Sequence, residues 1–133
     1  MKCIIYADGG SRGNPGPSAS GVVIHDTAGK TLAAYGDFLG HQTNNYAEYS
    51  AIISGLKRAK TLGATSVECR LDSKLVVEQL NGRWKVKEPT LQKLFVQAYN
   101  ALQEFKPWSI KHIRREYNKL ADAEVNKTLD ARM

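Results

Sequence analysis

Four acidic residues of this sequence, Asp8, Glu48, Asp72 and Asp122, stand where carboxylates are rarely left without a partner. Asp8 and Asp72 close predicted strands, whereas Glu48 and Asp122 fall in the first turns of predicted helices, on faces whose later members are apolar. Burying an unpaired carboxylate carries a large desolvation penalty, and a shared metal site would offset it. If the four converge, at least one divalent cation is needed against their repulsion. Oxygen donors alone point to Mg²⁺ or Mn²⁺ rather than Zn²⁺. Each residue also has a local reading. Glu48 can complete a capping-box-like start at Asn45, Asp72 can cap the helix that follows it, Asp8 can be a turn residue, and Asp122 can sit at the positive end of its helix. Spacing alone leaves both readings open.

The elements that must position these acids are legible from periodicity. The first strand places Cys3, Ile5 and Ala7 on one side and Ile4, Tyr6 and Asp8 on the other, and the glycine-rich DGGSRGNPGP is expected to end it at Asp8. Ala19 to Ile24 and Thr31 to Leu39 read as two further strands joined by short turns, which suggests an antiparallel meander. Asn45 to Leu62 is a helix with Glu48, Ile52, Leu56 and Ala59 on one face, and Ser66 to Leu71 returns as a strand next to a parallel neighbour. A short helix at Ser73 to Leu80 precedes a polar basic loop, Arg83 to Glu88. A long amphipathic helix then carries Leu91, Phe95, Ala98, Leu102 and Phe105. Trp108 to Ile113 supplies a fifth strand, and Asn118 to Ala131 a last helix with Asp122, Val125 and Leu129 on one face. The expected fold class is α/β, a mixed five-stranded sheet with three antiparallel strands, then two parallel ones, and helices on both faces.

A chain of 133 residues is expected to form one domain with one hydrophobic core. It contains no long apolar run and no signal-peptide pattern, so a cytoplasmic monomer with no membrane partner is expected. Cys3 and Cys69 occupy apolar strand positions and form no metal motif. The net charge of +6 favours a polyanionic partner. Arg83, Lys85 and Lys87 cluster around Trp84, and Lys111, Arg114, Arg115 and Lys119 cluster near Asp122. The glycine-rich loop lacks the G-x-G-x-x-G spacing of a dinucleotide site and runs into a strand, which discards that class.

Four pieces in this order carry a family resemblance: YADGGSRGNPGPSASG from Tyr6 to Gly21, TNNYAEYSAIISGL from Thr43 to Leu56, LDSKLVVEQLNG from Leu71 to Gly82 and REYNKLAD from Arg115 to Asp122. With them the chain resembles type 1 ribonuclease H over nearly its whole length, as a single domain spanning residues 1–133. The resemblance implies two-metal-ion hydrolysis of the RNA strand of an RNA/DNA hybrid, leaving 5′-phosphate and 3′-hydroxyl ends, with Mg²⁺ expected and Mn²⁺ an alternative ion. The family's acidic quartet falls on Asp8, Glu48, Asp72 and Asp122. By the same resemblance Asp8 bridges both ions, Asp122 holds the nucleophile-side ion, and Glu48 and Asp72 hold the leaving-group-side ion.

The hybrid would be read through Gly9, Gly10, Ser11, Asn14, Asn44 and Asn45, with Thr43 near a DNA phosphate. Lys74, Arg83, Trp84, Lys85 and Arg115 are further nucleic-acid contacts, although a tryptophan at position 84 also suits an anchor onto the core. Two departures from the larger bacterial form stand out. The extra basic helix and loop has no room between Gly82 and Pro89, which makes this a short form in which Arg83, Lys85 and Lys87 replace part of its charge. The only histidine near the last carboxylate, His112, is predicted in or at the end of the fifth strand, where a structural role is the ordinary reading. A catalytically weak or inactive nucleic-acid-binding relative of the same fold is the alternative. Retention of all four acids argues against it, because an abandoned metal site would keep the repulsion with no compensation.

Overall fold

A computed structural model describes residues 1–132. The elements follow in the order β1 (Lys2–Ser11), β2 (Gly16–His25), β3 (Thr31–Gln42), α1 (Asn44–Thr61), β4 (Ser66–Leu71), α2 (Lys74–Leu80), α3 (Pro89–Leu102), β5 (Trp108–His112) and α4 (Lys119–Asp130), with a 3₁₀ turn at Arg115–Tyr117. One mixed sheet results, in the order β3-β2-β1-β4-β5. The β1–β2 and β2–β3 pairs are antiparallel, and the β1–β4 and β4–β5 pairs are parallel. Helix α1 carries the chain across the sheet so that β4 joins the free edge of β1 rather than β3.

The alternation in β1 decides which face each helix covers. Cys3, Ile5 and Ala7 are fully buried with Ile52, Leu56 and Ala59 of α1, and α3 packs over α1 through Leu91, Leu94, Ala98 and Leu102. Helix α3 stops at Leu102, so Phe105 fills the core from the turn beyond it rather than from the helix. The opposite face carries α4, whose Val125 and Leu129 form a smaller cluster with Ala19.

Strand β1 does not end at Asp8. Gly9, Gly10 and Ser11 continue the antiparallel ladder opposite Ser20, Ala19 and Ser18. The turn comes later, where Gly13 adopts φ 90° and Arg12 N–H donates to the Pro17 carbonyl at 2.8 Å. Glycine in this strand therefore serves close approach rather than chain reversal. A Cβ on Gly9 would overlap the Ala47 carbonyl of α1, and one on Gly21, opposite Asp8, would overlap the Ala121 carbonyl of α4. Gly36, opposite Gly21, likewise makes room for Glu124 and Thr128. The backbones of both helices thus lie directly against the sheet, which a side chain at these positions would forbid.

This packing predicts unequal costs for adding one methyl group. Gly21→Ala should destabilise the fold by about 1–3 kcal/mol in urea denaturation, because α4 must lift. Gly10→Ala, whose Cβ would meet only Val125 Cγ1 at 3.4 Å, should cost much less. Equal losses would contradict the close-approach account.

Candidate active site

Parallel pairing of β1 with β4 ends at Ala7 and Leu71, and the next residue on each strand is an aspartate. Asp8 and Asp72 therefore emerge side by side at one end of the sheet. Glu48 arrives from α1, next to Ala47, where the helix backbone rests on Gly9. Asp122 arrives from α4, next to Ala121, where that helix rests on Gly21. Carboxylate oxygens of Asp8, Glu48 and Asp72 lie within 4.8 Å of one another. Asp122 is hydrogen-bonded to Asp8, and all four line one cavity of about 520 Å³, with Arg115 at its wall.

The local readings of these acids do not account for their placement. Thr43, not Asn45, caps α1, its Oγ1 accepting from Tyr46 N–H at 3.2 Å. Glu48 consequently lies beyond the first turn, too far along for a capping box. Ser73 caps α2 by accepting from Val76 N–H at 3.3 Å, so Asp72 is not needed there. Asp8 is in a paired strand rather than a turn. Asp122 does lie in the first turn of α4, where the helix dipole favours it.

Charge is under-compensated in this cavity. Burial, reinforced by the charge of Asp72 and by Asp122, pushes the Asp8 carboxyl up to about 8 despite a hydrogen bond from the Gly9 amide. Burial raises Glu48 as well, and the charges of Asp8 and Asp72 add to it. Asp72 is raised by burial although hydrogen bonds from Asn118 and Asp8 and the charge of Arg115 oppose the shift. One oxygen of Glu48, Oε2, is buried with no hydrogen-bond partner. Such a set of hard oxygen donors, crowded, desolvated and with an orphaned lone pair, fits a divalent cation of the Mg²⁺ or Mn²⁺ type. Asp8, Glu48 and Asp72 are the residues placed to hold it, with Asp122 alongside.

Asn118 is the residue that sequence reasoning missed. It is 1% exposed, its Nδ2 donates to the Ala7 carbonyl at 2.9 Å, and it also bonds to Asp72. One side chain thus ties the end of β1 to the neighbouring aspartate and to the start of α4. An asparagine just before a helix reads as a cap, yet it makes no capping bond here.

The other expected site residues divide into groups. Ser11, Asn14 and Asn44 are joined in one network, with Thr43 apart from it as the cap of α1: Ser11 N–H donates to Asn44 Oδ1 at 2.8 Å, and Asn44 N–H donates to Asn14 Oδ1 at 3.1 Å. The side chains of Asn14 and Asn44 hold the β1–β2 turn against the start of α1, while Asn45 is exposed. Gly9, Gly10, Ser11 and Asn44 line the carboxylate cavity. Lys74, Arg83, Trp84 and Lys85 gather outside it, where the Lys74 ammonium lies 6.0 Å from the Trp84 ring. Trp84 is 44% exposed and does not anchor its loop; Val86 packs on the core instead. His112, the last residue of β5, shares the face of Leu71 and feels Glu78 of α2, so it does not line the carboxylate cavity.

The Asp8 shift carries a sign for stability. A carboxyl raised from 3.8 to about 8 on folding binds its proton more tightly in the folded state. Its contribution is therefore present at low pH and is lost as pH rises from about 4 through about 8. Metal-free protein should melt progressively lower across that window. Asp8→Asn should reduce the decline, leaving the part due to Glu48 and Asp72, and raise Tm near pH 8 by at least about 3 °C. A pH-independent Tm, or a less stable Asp8→Asn variant at pH 8, would contradict this electrostatic picture.

Comparison with known proteins matches this geometry. Residues 6–128 match the family model described as "Reverse transcriptase-like". The bifunctional protein Rv2228c of Mycobacterium tuberculosis is 48% identical over 132 residues, which cover 98% of this chain but only 36% of that protein. The chain thus spans about a third of that relative's length. The crystal structure of RNase H1 from Halobacterium salinarum superposes with a TM-score of 0.96 at 44% identity, covering 98% of this chain and 99% of the other. LC11-RNase H1, isolated from compost by a metagenomic approach and solved in complex with an RNA/DNA hybrid, gives a TM-score of 0.92 at 44% identity, with 98% of each chain covered. With fold, acidic cavity and near-complete coverage of solved relatives in agreement, the chain belongs to the type 1 ribonuclease H family.

Proposed function

We propose that this chain is a divalent-metal-dependent endonuclease that hydrolyses the RNA strand of RNA/DNA hybrids. The observation that carries the reading is the meeting of Asp8, Glu48 and Asp72 within 4.8 Å around a Glu48 oxygen left without a partner. Support also comes from LC11-RNase H1, whose structure holds such a hybrid. Hydrolysis breaks the P–O3′ bond: the oxygen of water stays on phosphorus as a 5′-phosphate, and a proton passes to the departing 3′-oxygen. Mg²⁺ or Mn²⁺, when bound, would supply Lewis-acid polarisation of the phosphate and favour deprotonation of the attacking water. Asp8, Glu48, Asp72 and Asp122 hold the ions, and Asn118 keeps Asp72 and the end of β1 in register.

Recognition of the hybrid requires both strands. The RNA strand is marked by 2′-hydroxyls, which exchange hydrogen bonds with groups at the mouth of the cavity: the backbone of Gly9 and Gly10, Ser11, and the Asn44–Asn45 start of α1. Asn14 belongs with these groups, Thr43 would sit near a DNA phosphate, and Arg115 would supply a phosphate contact beside Asp72. Lys74, Arg83, Trp84 and Lys85 form the second grip. The connection between α2 and α3 is confined to residues 81–88. We infer a short form of the family, in which this loop stands in for an inserted basic module and makes fewer phosphate contacts.

Labelled RNA/DNA hybrid, double-stranded RNA, double-stranded DNA and single strands, each incubated with Mg²⁺, Mn²⁺ or EDTA, test the reading. Cleavage confined to the RNA of the hybrid, dependent on the cation and leaving 5′-phosphates, is expected. Asp8→Asn should lower the rate more than about 100-fold with the fold intact by circular dichroism. A folded wild-type protein that binds hybrid but leaves it uncut with both ions would replace this reading with that of a binding relative.

A further inference from the structure

Two buried polar side chains outside the carboxylate cavity form a relay that the hydrolytic machinery does not use. Gln79 of α2 is 4% exposed and Tyr49 of α1 is fully buried. Burial of an amide and a hydroxyl among apolar neighbours is unfavourable unless each finds a partner. Gln79 Nε2 donates to the backbone carbonyl of Lys85 at 3.2 Å. A carbonyl can only accept, so the amide orientation is fixed, and Oε1 is left to accept from the Tyr49 hydroxyl at 2.5 Å.

Around Lys85 the connection is tied at consecutive residues. The N–H groups of Arg83 and Trp84 both donate to the Glu78 carbonyl, at 2.9 and 3.2 Å. Gln92 Nε2 donates to the Val86 carbonyl at 2.9 Å, and the Val86 side chain packs on the core. The loop is thus pinned from beneath while Lys74, Trp84 and Lys85 remain exposed on top. Tyr49, moreover, is the residue after Glu48 on the same helix. A single turn of α1 therefore holds one end of the carboxylate cluster and, through Gln79, the loop.

We propose that Gln79, oriented by Tyr49, is a positioning residue that preorganises Lys74, Trp84 and Lys85 as a rigid cation–aromatic platform for the second strand of the duplex, at a fixed offset from the carboxylate cavity. The inference rests on the hybrid-cleaving function proposed above and specifies how its second strand is gripped. A loop this short offers few phosphate contacts, so their effect depends on being ordered before the duplex arrives. The relay governs substrate affinity and leaves the chemical step alone.

Steady-state cleavage of hybrid at several salt concentrations by Tyr49→Phe, Gln79→Met and Trp84→Ala, alone and with Gln79→Met and Trp84→Ala combined, tests the assignment. Tyr49→Phe and Gln79→Met should each raise KM about fivefold, with kcat within about twofold of wild type and a shallower salt dependence of KM. The combined variant should raise KM by less than the product of the two single effects, because Trp84→Ala has already removed part of the platform that Gln79 positions. Unchanged KM in the folded single variants, or fully additive effects in the combined one, would overturn the proposal. Tyr49→Phe removes a single oxygen and decides the matter if Gln79→Met fails to fold. A wild type that cuts no hybrid would instead count against the function itself. The relay is then read from Trp84 emission in a Trp108→Phe background, the chain having two tryptophans. A shift on Tyr49→Phe supports the relay, and an unchanged spectrum refutes it.

Discussion

Mutual repulsion among desolvated carboxylates is the constraint around which this structure is arranged. Asp8, Glu48 and Asp72 are brought within 4.8 Å of one another although burial and neighbouring charge push all three toward the neutral form. A fold selected for stability alone would separate them or add a lysine. Here Arg115, at the cavity wall, opposes the shift on Asp72 without cancelling it, and a buried Glu48 oxygen stays unsatisfied. Such a site is costly without a divalent ion and favourable with one, which couples folding energy to ion binding.

Sheet and helices serve that convergence. Two aspartates are adjacent because the parallel ladder stops at Ala7 and Leu71. Glu48 and Asp122 reach them because Gly9 and Gly21 let two helix backbones sit on the sheet from opposite faces. Asn118 then closes the gap between strand end, helix start and carboxylate. Rigidity follows from this convergence of separate elements on one end of the sheet, because no member of the cluster can shift without moving a strand or helix packed into the core.

Much of this was legible in the sequence. Alternation in KCIIYAD and the four-and-three spacing of Glu48, Ile52, Leu56 and Ala59 follow from burying one face, and they identified the sheet, the long helices and the acids that face inward. The errors share a cause in tertiary packing. DGGS looked like chain reversal because glycine is a turn residue by local propensity, yet it continues β1 for the sake of close helix approach. Trp84 looked like an anchor by its size, but Val86 takes that place and leaves the indole exposed. Asn118 was hidden because one residue type serves both as helix cap and as buried cross-link, and only the packed neighbours distinguish them. Gln79 was hidden for the same reason, since a glutamine in a short helix is ordinarily solvated.

Glu48 and Tyr49 are consecutive on α1, and the first lines the carboxylate cavity while the second bonds Gln79. The most direct measurement of the central claim is anomalous scattering from a crystal of the protein grown with Mn²⁺. Density bonded to oxygens of Asp8, Glu48 and Asp72, with Glu48 Oε2 taken up by the ion, is what the account requires. Crystals saturated with Mn²⁺ in which that cavity holds no anomalous peak would contradict it.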